Sequence, residues 1–225
     1  MRLERAGIDA AAATRLIELF ERIEDDDSAR LLAITGTGDT FCGGFERDVD
    51  ASLVESLAVL SKPTLAILNG DAIDEGLELA LAADLRIAMA GARFALAQLQ
   101  RESLPRFGGT QRLPRLIGIQ QALRMILTGA KIDGAEAFRI GLATYLANDR
   151  RELAELTGQV AQAILSRGPV AARLVKDAVR KGHDMTLEQG IRLEEDLYAL
   201  LQTTADRAEG VRAFLEKRKP LFRGA

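Results

Sequence analysis

The chain carries one cysteine, Cys42, one histidine, His183, and no tryptophan in 225 residues. A lone cysteine excludes an internal disulfide and suits a reducing compartment. A lone histidine argues against a histidine-ligated metal centre and against a serine–histidine triad. No apolar run approaches the roughly 18 residues that a membrane-spanning helix needs. The opening Met1-Arg2-Leu3-Glu4-Arg5 does not read as a secretory leader. Long blocks of like charge are missing too, and the net charge is −3, so neither nucleic acid nor an anionic membrane is favoured as a partner. Asp25-Asp26-Asp27 is a short solvated run. These exclusions leave a cytoplasmic globular protein, long enough for one large core or one domain with an appendage.

What the sequence does contain is organised around 67–84. The apolar run from Thr64 to Leu68 ends in the turn pair Asn69-Gly70, and Gly76 to Ala83 has helical composition. A buried strand therefore feeds, through a tight loop, into the N-terminus of a buried helix. Such a terminus presents unpaired N–H groups and a positive dipole end, which suit an anion or an oxygen that becomes anionic during a reaction. Glu78 is the one carboxylate in this apolar helical run; it is either a helix-capping acid or a functional carboxylate.

Ala12, Leu16, Leu19, Phe20 and Ile23 recur at helical spacing and predict a helix over about 8–24. Ala29 to Thr35 reads as a buried strand, 40–46 as a glycine-rich loop and 51–60 as a second helix. Asp84 to Ala88 and Ala92 to Leu96 read as strand. Helix and strand alternate, which implies an α/β fold with a largely parallel sheet. The stretch 98–109, with Pro105 and Gly108-Gly109, is a long loop of the functional kind. Helices are expected over about 118–128, 133–140, 151–166, 169–181, 186–201 and 204–216. Thr186 with Gln189 makes a capping box for the fifth of these.

Several of these segments share a pattern. Asn69-Gly70-x-Ala72-x-x-x-Gly76-x-Glu78-Leu79-Ala80-x-Ala82-x-Asp84-x-Arg86-Ile87-Ala88 closely resembles the central motif of the enoyl-CoA hydratase/isomerase (crotonase) superfamily. Leu104-Pro105-x-x-Gly108-Gly109-Thr110-Gln111-Arg112-Leu113, Thr128-Gly129-x-x-Ile132-x-x-x-Glu136-Ala137-x-x-x-Gly141-Leu142 and Glu209-Gly210-x-x-Ala213-Phe214-Leu215-Glu216-Lys217-Arg218-x-Pro220 are similar to its later segments. The resemblance covers about residues 4–223. It implies a spiral of ββα units over 1–166, and a helical region over 167–225 that assembles a homotrimer or a dimer of trimers. It also implies an acyl-CoA ligand, with coenzyme A as part of the substrate, no separate cofactor and no metal.

The resemblance further implies two backbone N–H donors that polarise a thioester carbonyl and hold the resulting enolate. They map onto Phe45 and Glu75. Gly43, Gly44, Ile73 and Gly76 map onto substrate contacts, and Phe214 and Lys217 onto positions that reach a neighbouring subunit's coenzyme A. One catalytic glutamate of the family's hydratases maps onto Glu78; the second maps onto Gln98, which can orient a water but cannot transfer a proton at neutral pH. Asp74-Glu75-Gly76 stands where the family has a run of glycines. Asp71, Asp74, Glu75 and Glu78 thus crowd together without a basic neighbour in the turn. Glu75 is expected to point to solvent, because an ionised carboxylate strongly prefers water; Arg101 and Arg106 are the nearest cations should it point inward.

Glu102 is a possible substitute acid. The family's usual N-terminal strand and hairpin are not evident, so the sheet is expected to lack an edge strand. His183 reads as an exposed loop histidine and Cys42 as a small packed residue. The implied activity is hydratase or isomerase chemistry with Glu78 as acid/base. Thioester hydrolysis, decarboxylation and a non-catalytic acyl-CoA-binding subunit remain as alternatives on the same fold.

Overall fold

The computed structural model describes residues 1–3 and 7–224. Helix α1 (Ala10–Asp25) precedes strands β1 (Leu32–Thr35) and β2 (Thr40–Cys42) and helix α2 (Ser52–Val59). A second turn of chain repeats this order with β3 (Thr64–Leu68), β4 (Asp71–Ile73) and α3 (Glu75–Ala82). A third begins with β5 (Leu85–Met89) and β6 (Arg93–Ala95), then runs through a 3₁₀ turn (Gln98–Arg101) into α4 (Gly109–Ile117) and α5 (Ile119–Thr128). The strands end with β7 (Ile132–Asp133), α6 (Gly134–Arg139) and β8 (Tyr145–Ala147), after which the chain is helical: α7 (Arg150–Leu165), α8 (Pro169–His183), α9 (Leu187–Gln202) and α10 (Ala205–Leu215).

Each turn sends its two strands to different sheets, one ordered β1-β3-β5-β8 and the other β2-β4-β6-β7. The first sheet is parallel throughout, with Leu65 opposite Leu85 and Ile87 opposite Tyr145. The second is parallel except where β7 meets β6. This is a spiral of ββα units, as the sequence motifs implied. A parallel strand covered on both faces needs an almost continuous apolar run, and Thr64, Leu65, Ala66 and Leu68 of β3 are all buried.

Strands β1, β3 and β5 of the first sheet and β6 of the second were expected from the sequence, and β2, β4, β7 and β8 were not. Strands of two or three residues are too short to show an alternation, so β2 read as loop and β4 as part of a turn. Helix α4 was hidden by Gly108-Gly109 at its start and Pro114 inside it. The capping box at Thr186 and Gln189 is formed, and it opens α9 one residue later than the spacing suggested.

Among the described residues no strand precedes α1. The backbone of residues 1–3 runs beside β1 through a single bridge, Arg2 to Thr35, with Leu3 N–H donating to Thr35 O at 2.7 Å. None of the described helices is long and apolar enough to cross a membrane.

The chain divides into two compact units. The larger comprises Met1–Asp25, Leu32–Leu60 and Thr64–Gln159 and holds both sheets; Phe20, Phe41, Phe94, Leu53 and Leu57 are among its largest fully buried side chains. The smaller comprises Asp26–Leu31, Ser61–Pro63 and Val160–Ala225. In it, α8 and α9 contribute no buried residue, and Val175, Val179, Leu187 and Tyr198 are all more than 60% exposed.

Candidate active site

Helix α3 is buried from Gly76 to Ala82, which leaves Glu78 as a carboxylate inside an otherwise apolar helix. Both ends of the helix are fixed. At the C-terminal end the buried Arg86 guanidinium donates to Ala83 O at 2.8 Å and to Leu142 O at 2.7 Å, a cation set against helix C-terminal carbonyls. At the N-terminal end the helix runs against the end of β2. A Cβ on Gly76 would lie 2.0 Å from Cys42 O, so only glycine permits this approach.

Glu78 has no exposed surface. Its Oε1 accepts N–H bonds from Phe107 at 2.8 Å and Gly109 at 2.7 Å, and its Oε2 accepts from Gln98 Nε2 at 3.1 Å. A Cβ on Gly109 would stand 2.9 Å from Glu78 Oε1, so a larger residue there would push on the carboxylate it seats. Burial raises the Glu78 carboxyl from 4.5 to about 7; the Gly109 and Phe107 N–H groups pull it down and the Glu75 carboxylate pushes it up, but desolvation dominates. A carboxyl poised near neutrality can both take and return a proton at physiological pH. The capping alternative does not describe it: Glu78 bonds the 98–109 loop rather than the free end of its own helix.

Gln98 is buried in the 3₁₀ turn, and its Oε1 accepts no hydrogen bond among the described residues. An amide beside a titrating carboxyl can serve either charge state, since one face donates to a carboxylate and the other accepts from a carboxylic acid. The two residues separated by twenty positions in sequence are thus brought into direct contact.

Glu75 opens α3, and Phe45 follows Gly44, which the Glu75 side chain approaches. Ile8 N–H donates to Gly44 O and Glu46 N–H to Ile8 O, which holds the backbone either side of Phe45 and leaves its own N–H unused. Glu75 is the first residue of α3, and its N–H has no intrahelical acceptor. Neither N–H donates to a hydrogen bond among the described residues. The Phe45 ring packs edge-on against Phe107 at 4.9 Å, and the Arg106 guanidinium lies 4.6 Å over the Phe107 ring.

The acidic turn divides in two. Asp74 adopts φ 51° and ψ −117°, and its buried carboxylate accepts from Ala97 N–H at 2.6 Å and from Arg101 Nη2 at 2.7 Å. It ties the start of α3 to the turn that carries Gln98, a role with no signal in the sequence beyond an acid at a glycine position. Glu75, expected to face solvent, instead turns toward the Cys-Gly-Gly loop: its Oε2 stands 3.0 Å from where a Cβ on Gly44 would lie. Neither candidate arginine forms a close ion pair with it, although the Arg101 charge acts on it through space. Arg101 pairs with Asp74, and Arg106 donates to the carbonyls of Arg47 and Val49.

Among the remaining candidates, Gly43 is exposed, Gly44 is buried with φ 134°, and Ile73 is half-buried one residue before Asp74. Phe214 and Lys217 belong to the smaller unit; Phe214 is 81% exposed at the end of α10, and Lys217 follows in a left-handed turn. Glu102 is exposed and closes the 3₁₀ turn. His183 is exposed at the end of α8, and burial pushes the Cys42 thiol up to about 11, so it is a packed residue and no nucleophile. The described residues contain no cluster of side chains suited to a metal ion. The N–H groups of Phe107 and Gly109 that seat Glu78 were not identified from the sequence, although the glycine pair and proline of their loop had marked it as functional.

A family model described as enoyl-CoA hydratase/isomerase matches residues 2–225. The (E)-benzylidenesuccinyl-CoA hydratase of Thauera aromatica is 37% identical over 233 aligned residues, covering 97% of this chain and 91% of its own. The crotonyl-CoA hydratase of Syntrophomonas wolfei is 37% identical over 216, covering 89% and 83%. The crystal structure of an enoyl-CoA hydratase from Bacillus anthracis superimposes with a TM-score of 0.93 at 33% identity, over 97% of this chain and 91% of that one. Motifs, topology and these likenesses agree, and the chain belongs to the enoyl-CoA hydratase/isomerase family.

Proposed function

We propose that the protein transforms an α,β- or β,γ-unsaturated acyl-CoA through a thioester enolate. In this reading the substrate carbonyl accepts the Phe45 and Glu75 N–H groups, at the positive end of the α3 dipole. Glu78 exchanges a proton with the substrate or with water, and Gln98 orients the group that Glu78 addresses. The observation that carries the reading is Glu78 itself: a fully buried carboxyl, held at about 7 and seated by two N–H groups and one amide. The two unused N–H donors of Phe45 and Glu75 would suit a developing oxyanion, where preorganised dipoles contribute most. Gly43, Gly44 and Ile73 would line the acyl-thioester path, and Gly76, whose Cβ space is taken by the Cys42 carbonyl, would contribute through its backbone alone.

Gln98 shapes the choice of reaction. Addition of water to a double bond needs one group to take a proton from water and another to supply one to carbon. Moving a double bond needs only one group that carries a proton between two carbons. A site with Glu78 and an amide therefore suits isomerisation, or hydration assisted by a further acid. The exposed apolar face of α8 and α9 and the exposed Phe214 support assembly into homotrimers, with Phe214 and Lys217 reaching a neighbouring subunit's coenzyme A. The cell compartment proposed is the cytoplasm. Incubation with crotonyl-CoA and with a 3-enoyl-CoA, followed through the conjugated thioester chromophore, tests the reading. Turnover of either that falls by at least about 100-fold in Glu78→Gln is expected; robust hydration that survives the substitution would overturn it.

A further inference from the structure

Two features of the site are left over from the proposed function: the inward carboxylate of Glu75 and the missing second proton-transfer group. Glu75 is half-buried, and its carboxylate makes no hydrogen bond or ion pair among the described residues. Its Oε2 abuts Gly44, whose peptide bond carries the Phe45 N–H, while its own N–H is the other donor of the pair. An acyl thioester whose carbonyl oxygen accepted from those two donors would carry its Cα one bond from the carbonyl carbon, and Glu75 is the carboxylate that stands beside Gly44. Gln98, the amide in contact with Glu78, cannot transfer a proton.

We propose that the side chain of Glu75 is a second catalytic carboxylate, the group that takes and returns the proton at Cα. This rests on the acyl-CoA reading above. In the step, the Cα–H bond breaks and the proton forms an O–H bond on Glu75 Oε2. The C–H electron pair becomes the Cα=C bond of the enolate, and the carbonyl π pair moves to the oxygen held by the Phe45 and Glu75 N–H groups. Reversal restores the acyl thioester. The transfer also resolves the electrostatic objection to an acid beside an oxyanion site. As the enolate gains its charge the carboxylate loses one, so the two never repel at full strength and the charge within the site stays constant. A carboxylate that remained ionised throughout would oppose the enolate. Glu78, with Oε1 fixed by two N–H groups and Oε2 facing Gln98, is then free for the proton on water or on the γ carbon.

Exchange of the α-protons of butyryl-CoA with D2O, followed by NMR, isolates this step, because a saturated thioester can neither be hydrated nor isomerised. The intact enzyme is expected to exchange them. Glu75→Gln and Glu75→Gly, which keep the backbone N–H, are expected to slow exchange by at least about 100-fold while butyryl-CoA binding by calorimetry changes less than about threefold. Glu75→Asp is expected to retain part of the rate, which a merely structural loss would not allow. Exchange at the wild-type rate in Glu75→Gln, faster exchange in Glu75→Gly, or a wild-type enzyme that binds butyryl-CoA without exchanging it would each overturn the proposal. Failure of the wild-type enzyme to bind butyryl-CoA or to turn over any enoyl-CoA would instead overturn the acyl-CoA reading on which it rests.

Discussion

Replacing Glu78 by glutamine should stabilise the protein while disabling it, and the gain should depend on pH in a defined way. Burial lifts the Glu78 carboxyl from 4.5 to about 7, so between these values the folded protein holds a proton that the unfolded chain has released. Stability attached to that proton is fully present below about pH 4.5 and is lost as pH rises through 7. The difference corresponds to about 3 kcal/mol at full ionisation. Glutamine carries no such loss and keeps the local bonds. Its side-chain oxygen can accept from the Phe107 and Gly109 N–H groups as Glu78 Oε1 does. Its NH2 then faces Gln98, whose Oε1 is buried and accepts nothing in the native protein; a turn of the Gln98 amide makes it the acceptor. Urea unfolding at pH 5, 6, 7 and 8, followed by far-ultraviolet circular dichroism at one protein concentration, reads the effect, since association adds its own concentration-dependent term. The variant should lead by less than about 1 kcal/mol at pH 5 and by up to about 3 kcal/mol at pH 8. Parallel stability curves across this range would refute the argument, because they would mean that Glu78 does not ionise with a raised pKa.

Other substitutions test how the site is built. Gly76→Ala drives a methyl into the Cys42 carbonyl at 2.0 Å, and should cost about 1–3 kcal/mol or more in thermal or urea unfolding; a neutral result would mean that α3 does not lie so close to β2. Arg101→Leu leaves the buried Asp74 carboxylate with one N–H and no counter-charge. It should cost about 1–2 kcal/mol in the native background, discounted because the arginine is largely exposed, and close to nothing when Asp74 is already glycine. Equal costs in the two backgrounds would dissolve the pair. Cys42 should react with an uncharged alkylating agent far more slowly than a free thiol at pH 8, because it is buried and held near 11; fast labelling of the folded protein would contradict that placement.

Much of this was legible in the sequence where chemistry and backbone geometry are spelled by the same residues. The Asn69-Gly70 corner illustrates it. Asn69 Oδ1 accepts from Gly36 N–H at 2.8 Å and its Nδ2 donates to Gly38 O at 2.9 Å, so the turn after β3 fastens the turn after β1 and fixes β2 beside β4. A pattern of fixed identities at fixed spacing records such an arrangement, and Glu78 is placed by it. Strands β2, β4, β7 and β8 were not legible from periodicity, because they are two or three residues long and so short a strand shows no alternating face.

The Glu75 side chain lies toward Gly44 rather than fully in solvent for a related reason: its direction follows from the backbone as well as from the solvation of its charge. Asp74, at φ 51°, occupies a conformation that glycine adopts freely and other residues only at a cost of about 1–3 kcal/mol. What offsets that cost is visible in its carboxylate, which holds Ala97 N–H and Arg101 at once. With Asp74 anchored toward the 3₁₀ turn, the next side chain is carried to the opposite side of the chain, toward Gly44, whatever its charge. Two adjacent acids therefore meet different ends. Asp74 is consumed in holding a glycine-like turn together, and Glu75 is turned toward Gly44 with no close ion pair of its own and only the through-space charge of Arg101 opposite it. A carboxylate left in that position is tolerable to the fold because it keeps part of its exposure. Under the proposed enolate mechanism it is tolerable to an oxyanion only if its own charge can leave as the oxyanion forms, and that is the requirement which the α-proton exchange of Glu75→Gln tests.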